Sequence, residues 1–194
     1  AAGADISEFA NFGEAEAKEM SAKGGEIFTS LEESEIPIIA AVNGYALGGG
    51  CELTMSCHVR IASDNALFGQ PEVNLGVPPG YGGTQRLAQI IGKGRALDML
   101  ITAKSINAAT ALDYGLVTQV VSQEELMPTC IIYIEKLVGK SPLAIAEVIK
   151  CTNALYENVD GLQYEIDSFA KSFETNDFKE GTTAFLEKRK PDYS

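Results

Sequence analysis

The sequence predicts an α/β fold in which strands come early in the chain and helices dominate the later part. Short, continuously apolar runs at residues 38–42 and 59–62 are typical of strands covered on both faces. From residue 85 onward, apolar residues recur at helical spacing. The chain has 194 residues, of which 45% are hydrophobic and 22% charged, and this is the composition of a folded domain.

The first two predicted helices span residues 5–20 and 23–35. The second carries Ile27, Phe28 and Leu31 as an apolar stripe, and Pro37 ends it because the residue before a proline disfavours the helical conformation. A buried strand, a glycine-rich turn and a helix up to residue 57 follow. The remaining predictions are strands at 59–62, 66–69 and 117–121, an ordered loop at 70–84, and helices at 85–91, 94–102, 107–114, 122–139, 142–156, 161–174 and 175–190.

Acidic residues outnumber basic ones, with 27 Asp+Glu, 15 Lys+Arg and a net charge of −12. Such a chain is a poor partner for nucleic acid or an anionic membrane, because both require a basic face. No apolar stretch approaches the ~20 residues that span a bilayer. The four cysteines and the one histidine lack the spacing of a zinc site, so we expect no metal and free thiols in a reducing compartment.

Three consecutive glycines, Gly48, Gly49 and Gly50, open the helix that follows the buried strand. The first N–H groups of a helix have no acceptor within it and lie at the positive end of its dipole. Because glycine lets a ligand approach the backbone closely, this turn suits a phosphate or an oxyanion. The alternative is a tight turn that serves only packing.

Two glutamates accompany the glycine turn. Glu52 lies in the first turn of the helix, and Glu72 follows Pro71 in the rigid loop 20 residues later, a spacing long enough for the chain to return. Two carboxylates that converge on one pocket divide into base and acid when their surroundings separate their pKa values. Without such convergence, Glu52 would complement the helix dipole and Glu72 would be a surface acid.

Five segments together resemble those of a known family. They are residues 2–6 (Ala-Gly-Ala-Asp-Ile), 40–53 around the glycines, 68–72 (Phe-Gly-Gln-Pro-Glu), 82–87 (Gly-Gly-Thr-Gln-Arg-Leu) and 183–190. In this order along the whole chain they resemble the crotonase (enoyl-CoA hydratase) family. The resemblance implies a ClpP-like spiral of β-β-α units in residues 1–121, and a C-terminal helical trimerisation region of the same domain in 122–194. It further implies that the N-terminal part of the domain is missing, since the family has strands and helices before the first motif.

The resemblance also implies catalysis on acyl-CoA thioesters. The N–H groups of Ala4 and Gly49 would bind the thioester oxygen. Glu52 would act as base on a water that adds to C3, and Glu72 would deliver a proton to C2. Because both glutamates are present, the implied reaction is the reversible hydration of a trans-2-enoyl-CoA to a 3-hydroxyacyl-CoA, with no cofactor beyond the coenzyme A of the substrate.

Other readings are an acyl-CoA isomerase or hydrolase of the same superfamily, or a non-catalytic CoA-binding member. A serine peptidase is disfavoured, because His58 is the sole histidine and no Gly-x-Ser-x-Gly motif occurs. His58 stands where the family often has aspartate, and we expect it to pack or to form hydrogen bonds. Tyr81 is bulkier than the residue often found at its position, and we expect it to narrow the acyl pocket.

The resemblance implies a set of substrate contacts, partners and a location. Coenzyme A would be lined by Ala2, Asp5 and Ile6. The acyl chain and the water would be surrounded by Tyr45, Pro71 and Gly80. Two further residues, Phe185 and Lys188, would contact coenzyme A across a subunit boundary. The basic run at residues 188–190 would supply local positive charge for the phosphates, or would simply complement a helix C-terminus. We expect a homotrimer or a dimer of trimers in the cytoplasm, or in the mitochondrial matrix of a eukaryote, without nucleic-acid or membrane partners.

Overall fold

The computed structural model describes residues 1, 3 and 5–193, apart from the side chain of Phe9. The chain divides into two compact units. The first comprises Ala1–Glu32 and Ile38–Cys130, and the second comprises Glu33–Pro37 and Ile131–Ser194. The division into residues 1–121 and 122–194 drawn from the sequence stays a prediction.

The first unit contains most of the strands and the helices that pack on them. Its helices are α1 Ile6–Phe9, α2 Glu14–Glu32, α3 Gly49–Ser56, α4 Gly83–Ile91, α5 Lys93–Thr102 and α6 Ala108–Asp113. Its strands are β1 Ile39–Val42, β2 Tyr45–Leu47, β3 Val59–Ser63, β4 Leu67–Gly69, β5 Ile106–Asn107 and β6 Gln119–Val121, and a 3₁₀ helix spans Glu72–Leu75. Helix α7, Leu126–Glu135, runs across the boundary between the units.

The strands form two three-stranded sheets, and each β-β-α repeat of the chain contributes one strand to each sheet. The first repeat is β1-β2-α3, and the second is β3-β4, the 3₁₀ helix and α4. Strand β3 pairs in parallel with β1, and β4 pairs in parallel with β2, so that successive repeats stack on each other. Strand β6 extends the first sheet in parallel, and β5 extends the second in antiparallel orientation. This arrangement confirms the predicted α/β class and the spiral of β-β-α units.

One hydrophobic core joins the two sheets to helices α3, α4 and α5 within the first unit. Phe68, Leu87 and Met99 are completely buried at 0% exposure. Burying a side chain of this size stabilises the fold by about 1.5–3 kcal/mol. Small residues such as Ala46 and Ala62 fill the remaining space between the strands and helices.

The helices predicted at 5–20 and 23–35 are wrong in their boundaries. The structure has a short α1 that ends at Phe9 and one continuous helix, α2, of 19 residues. Helix α2 begins after Gly13, whose N–H donates to Glu16 at 3.0 Å, as in a capping box. Gly24 does not break the helix, because it faces the ring of Tyr81 and leaves room for it.

The second unit consists of helices and their connections. Its helices are α8 Pro142–Asn153, α9 Gly161–Ser172 and α10 Asn176–Glu187, with a 3₁₀ turn at Ala154–Tyr156. Ser141, Asp160 and Thr175 cap their N-termini, each through a side-chain oxygen that accepts a backbone N–H. Among the residues that the structure describes, no helix is both long enough and apolar enough to cross a membrane.

Candidate active site

A cleft of about 540 Å³ lies in the first unit, beside the start of α3. Its wall is formed by α2, by the turn before α3 and by the loop between β4 and α4. The predicted site residues that line it are Ile6, Gly49, Glu52, Pro71, Glu72 and Gly80. Met20, Leu75, Val77 and Pro78 give much of the remaining wall an apolar character.

The glycine turn brings the backbone close to the acidic side chains. Gly48 has φ +53° and ψ −127°, a conformation that residues with a Cβ rarely adopt. A Cβ there would lie 2.9 Å from Oε1 of Glu72. Gly49 is the first residue of α3, and its N–H therefore has no acceptor within the helix. The turn leaves space and a backbone donor at the edge of the cleft.

Glu52 is a buried carboxylate held by the backbone of the facing loop. It is 1% exposed, and its Oε1 accepts hydrogen bonds from the N–H groups of Tyr81 and Gly83, both at 2.8 Å. Burial raises the pKa of Glu52, while these two hydrogen bonds and the charge of Arg86 act in the opposite direction. The hydrogen bonds therefore fix the direction of the Glu52 side chain, and its pKa lies above the usual value for glutamate.

Glu72 opens the 3₁₀ helix on the other side of the glycine turn. Burial raises its pKa, and the negative charge of Glu52 raises it further. The fully buried Gln70, in the amide orientation that satisfies both of its ends, donates to the two carboxylate oxygens of Glu72 at 2.9 and 3.0 Å. The sequence-based prediction did not assign a role to Gln70, and the signal available was its place in the Phe-Gly-Gln-Pro-Glu segment.

The two glutamates converge on the same few atoms of backbone. Oε1 of Glu72 lies next to Gly48, and Oε2 of Glu52 lies 4.0 Å from the position of a Cβ on Gly49. Both side chains line the cleft. Two carboxyl groups whose charges interact across one cleft can differ in pKa, so that one can act as base while the other acts as acid.

The loop that faces Glu52 is fastened at several points. Ser21 of α2 donates to the carbonyl oxygen of Gly80 at 2.5 Å. The rings of Tyr81 and Phe28 pack in a T-shaped arrangement at a centroid distance of 5.6 Å. Arg86 donates to the carbonyl oxygen of Tyr81 at 2.8 Å. Sequence reasoning did not identify Ser21 or Arg86, since their roles depend on contacts between distant segments.

Several predicted residues lie elsewhere. Asp5 caps α1 by accepting from the N–H and hydroxyl of Ser7, which lowers its pKa. Tyr45 on β2 is 61% exposed and is not among the described residues that line the cleft. Ala2, and Ala4 as the second predicted oxyanion donor, lie outside the described residues.

Phe185 and Lys188 belong to the second unit. Phe185 on α10 is 82% exposed, and Lys188 ends the helix with a left-handed φ of +56°. Within the basic run, Arg189 forms ion pairs with Glu180 and Glu187, so its positive charge is balanced within the second unit. The predicted contacts of Phe185 and Lys188 with coenzyme A stay predictions.

His58 has hydrogen-bonding partners in the backbone. Its Nδ1 accepts from the N–H of Ile38 at 2.8 Å, and its Nε2 lies 3.1 Å from the carbonyl oxygen of Glu32. Burial lowers its pKa. Across the described part of the chain, no three His, Cys, Asp or Glu side chains are grouped as a metal ion would require.

The fold and the cleft together define a class, that of spiral β-β-α proteins in which a helix start and two carboxylates face one apolar pocket. The family model described as enoyl-CoA hydratase/isomerase matches residues 1–194. The chain belongs to that family.

Individual relatives are similar over nearly the whole chain. The short-chain-enoyl-CoA hydratase of Clostridium acetobutylicum is 47% identical over 191 residues, which cover 97% of this chain and 73% of that protein. The crotonyl-CoA hydratase of Syntrophomonas wolfei is 48% identical, covering 99% of this chain and 75% of its own length. The crystal structure of an enoyl-CoA hydratase from Bacillus anthracis has a TM-score of 0.91 at 39% identity, with coverage of 99% of this chain and 75% of that one.

Proposed function

We propose that this protein catalyses the reversible addition of water to a trans-2-enoyl-CoA, giving the 3-hydroxyacyl-CoA. The observation that carries the proposal is the convergence of Glu52 and Glu72 beside the Gly48–Gly49 turn of one cleft. Relatives named short-chain-enoyl-CoA hydratase and crotonyl-CoA hydratase, at 47% and 48% identity, support it.

Activation of the substrate begins at the thioester oxygen. The N–H of Gly49, at the start of α3, donates to this oxygen, and the N–H of Ala4 is the proposed second donor. When water adds to C3, negative charge moves onto the oxygen in an enolate-like transition state. Fixed donors aimed at that charge lower the barrier, and loss of one such donor costs on the order of 3 kcal/mol in other enzymes.

The two glutamates divide the proton transfers between them. Glu52 takes a proton from the water as its oxygen bonds to C3, and Glu72 delivers a proton to C2. Burial raises the pKa of Glu52, and the two backbone hydrogen bonds and the Arg86 charge oppose that rise and so favour the ionised form that a base requires. The charge of Glu52 raises the pKa of Glu72 and so favours the protonated form that an acid requires.

The proposed substrate is an acyl-CoA thioester, and the steps above need no metal or redox cofactor. Three residues that line the cleft are proposed to contact the thioester directly, namely Ile6, Pro71 and Gly80. Ala2, Asp5, Tyr45, Phe185 and Lys188 are proposed contacts along coenzyme A and the acyl chain. The assembly proposed is a homotrimer or a dimer of trimers.

The test is a hydration assay with crotonyl-CoA, followed by the loss of enone absorbance. We expect Glu52→Gln and Glu72→Gln each to lower kcat by orders of magnitude, because each variant removes one proton-transfer group. Binding of 3-hydroxybutyryl-CoA, measured by calorimetry, should persist. Glu19→Gln is the matched control, since this glutamate lies exposed on α2.

Near wild-type turnover in either cleft variant would reject the assigned pair. A wild-type protein that moves the double bond or releases free coenzyme A, without hydrating crotonyl-CoA, would be an isomerase or a hydrolase of the same superfamily. A protein that binds the product and transforms no thioester would be a non-catalytic member.

A further inference from the structure

Glu52 is aimed by two backbone N–H groups that belong to one short segment. Its Oε1 accepts from the N–H of Tyr81 and from the N–H of Gly83, both at 2.8 Å. These groups lie on either side of the peptide that joins Tyr81 to Gly82. The direction of the Glu52 carboxylate therefore depends on how firmly that central peptide is held.

Arg86 holds the central peptide from the far side. Its side chain turns back from the first turn of α4, and Nη1 donates to the carbonyl oxygen of Tyr81 at 2.8 Å. It passes directly over Gly82, which has φ +94° and where a Cβ would collide with Nη1. Glycine at this position permits both the left-handed turn and the close approach of the guanidinium.

The other edge of the guanidinium is tied to α2. Nε and Nη2 donate to Oε2 of Glu32 at 3.1 and 2.9 Å, and Nη2 also donates to the hydroxyl of Thr29 at 3.1 Å. The Arg86 side chain is only 8% exposed. An ion pair in such a setting is screened less by water than a surface pair, and removal of one partner is costly. Arg86 thus links α2 to the loop that holds Glu52.

We propose, on the basis of the hydratase function above, that Arg86 is a positioning residue for the reaction. Glu32 and Thr29 anchor its guanidinium. The anchored guanidinium fixes the carbonyl of Tyr81, and with it the two N–H groups that orient Glu52 in the cleft. Arg86 acts through the loop and not by contact with the substrate.

The charge of Arg86 has a second, separable effect on Glu52. The charged and titratable groups that face Glu52 are Cys51 on its own helix, Glu72, Tyr81 and Arg86. Arg86 lowers the pKa of Glu52, against the effect of burial. Loss of that positive charge would raise the pKa further, so that the base would be protonated, and inactive, at a higher pH.

The experiment compares Arg86→Lys, Arg86→Gln and the control Arg60→Lys in crotonyl-CoA hydration. Arg60 is a matched control because its guanidinium donates to the backbone carbonyls of Leu116 and Cys57, at 2.7 and 2.5 Å, outside the loop. For both Arg86 variants we expect kcat to fall on the order of 10²-fold, the effect of a misplacement of about 1 Å. KM should change less than about threefold, because ground-state binding of the thioester is retained.

The dependence of kcat on pH separates the two effects of Arg86, which are the orientation of Glu52 and the lowering of its pKa. Arg86→Gln should move the acid limb of kcat to higher pH, while Arg86→Lys, which keeps a positive charge, should lower kcat and leave the limb in place. Arg60→Lys should change neither. Thr29→Val removes only the hydrogen bond that Arg86 donates to the Thr29 hydroxyl, leaves the ion pair with Glu32, and should lower kcat by only a few-fold. This variant keeps the test available if Arg86→Gln does not fold.

The results distinguish an error in the positioning role from an error in the proposed function. If the wild type hydrates crotonyl-CoA, and the Arg86 variants match Arg60→Lys in kcat and in the acid limb, the positioning role is wrong and the proposed function stands. A raised KM with an unchanged kcat would also overturn it, because the loop would then serve binding. If the wild-type protein hydrates no enoyl-CoA, the proposed function falls and the inference falls with it.

Discussion

Carboxylates in the two units of this protein are treated in opposite ways. In the first unit, burial raises the pKa values of Glu52 and Glu72, and both side chains line an apolar cleft. In the second unit, the pKa of Glu147 is lowered by its hydrogen bond from Ser168, and that of Glu180 falls to about 2 beside Arg189. Glu52 and Glu72 are thus shifted toward the protonated form, whereas Glu147 and Glu180 are held in the ionised form by their hydrogen-bonding partners.

The two kinds of carboxylate have opposite effects on the stability of the fold. A paired, solvated carboxylate such as Glu180 favours folding, because its charged form is stabilised by a cation and by the N–H of Asp192. A desolvated carboxylate with a raised pKa opposes folding at neutral pH. Functional sites commonly carry such a cost. Variants of the cleft and of Glu180 test this difference in both units.

The largest effect expected is on activity, from Gly48→Ala. A Cβ at Gly48 would lie 2.9 Å from Oε1 of Glu72 and would push that carboxylate out of place. We expect kcat/KM for crotonyl-CoA to fall about 10²–10³-fold, as when an oxyanion donor is lost. The measurement is steady-state hydration together with thermal unfolding.

Gly44→Ala is the matched control for Gly48→Ala. Gly44 also has a positive φ, of +86°, but its Cβ would meet nothing within 4 Å. Both variants should lose about 1–3 kcal/mol of stability through backbone strain. If the two variants lost activity equally, strain would explain the loss and the contact with Glu72 would not.

A smaller effect, of unusual sign, is expected for the stability of Glu52→Gln. Because burial raises the folded-state pKa of Glu52, its charged form opposes folding at pH 7, and a neutral glutamine should be at least as stable. Each kcal/mol gained should raise Tm by about 2–4 °C for a chain of this size. As pH falls toward 4.5, the ordinary value for glutamate, wild type should recover stability relative to the variant.

Thermal unfolding of the wild type and of Glu52→Gln from pH 7 to pH 5 measures this difference. A variant that is markedly less stable than wild type at pH 7 would contradict the assignment of Glu52 as a carboxylate held at a cost to stability.

The smallest effect is expected for Glu180→Gln in the second unit. The folded-state pKa of Glu180 lies at about 2, below its ordinary 4.5, so its contribution to stability is present above pH 4.5 and is lost as pH falls through 2. The variant should be slightly less stable than wild type at pH 7, and the gap should close between pH 4.5 and pH 2. Denaturant midpoints at several pH values measure it, and a gap that does not depend on pH would speak against the ion pair with Arg189.

Local signals made much of the fold and the centre of the site predictable. The apolar run before residue 43 predicted β1, and the glycines predicted the turn into α3. The spacing between Glu52 and Glu72 was long enough for the chain to return, and the structure brings them together because β2 and β4 pair in parallel just before these two segments.

Long-range contacts were not predictable in this way. The sequence predicted a break between helices at 5–20 and 23–35, yet α2 runs unbroken through this point and its Gly24 packs against the Tyr81 ring. Gln70 and Arg86 stand in segments that resemble the family, but their contacts depend on where a second segment of chain passes, and periodicity and spacing do not contain that information. The same reason explains why the basic run at 188–190 looked available while Arg189 is paired inside its own unit.

The pairing of β2 with β4 has a consequence for how this gene can change. The chain leaves both strands at one edge, where N–H of Gly48 donates to the carbonyl oxygen of Gly69 at 3.0 Å. A residue inserted between Leu47 and Glu52, or between Gly69 and Glu72, would shift one half of the site against the other. We therefore expect insertions and deletions to be removed by selection at both places.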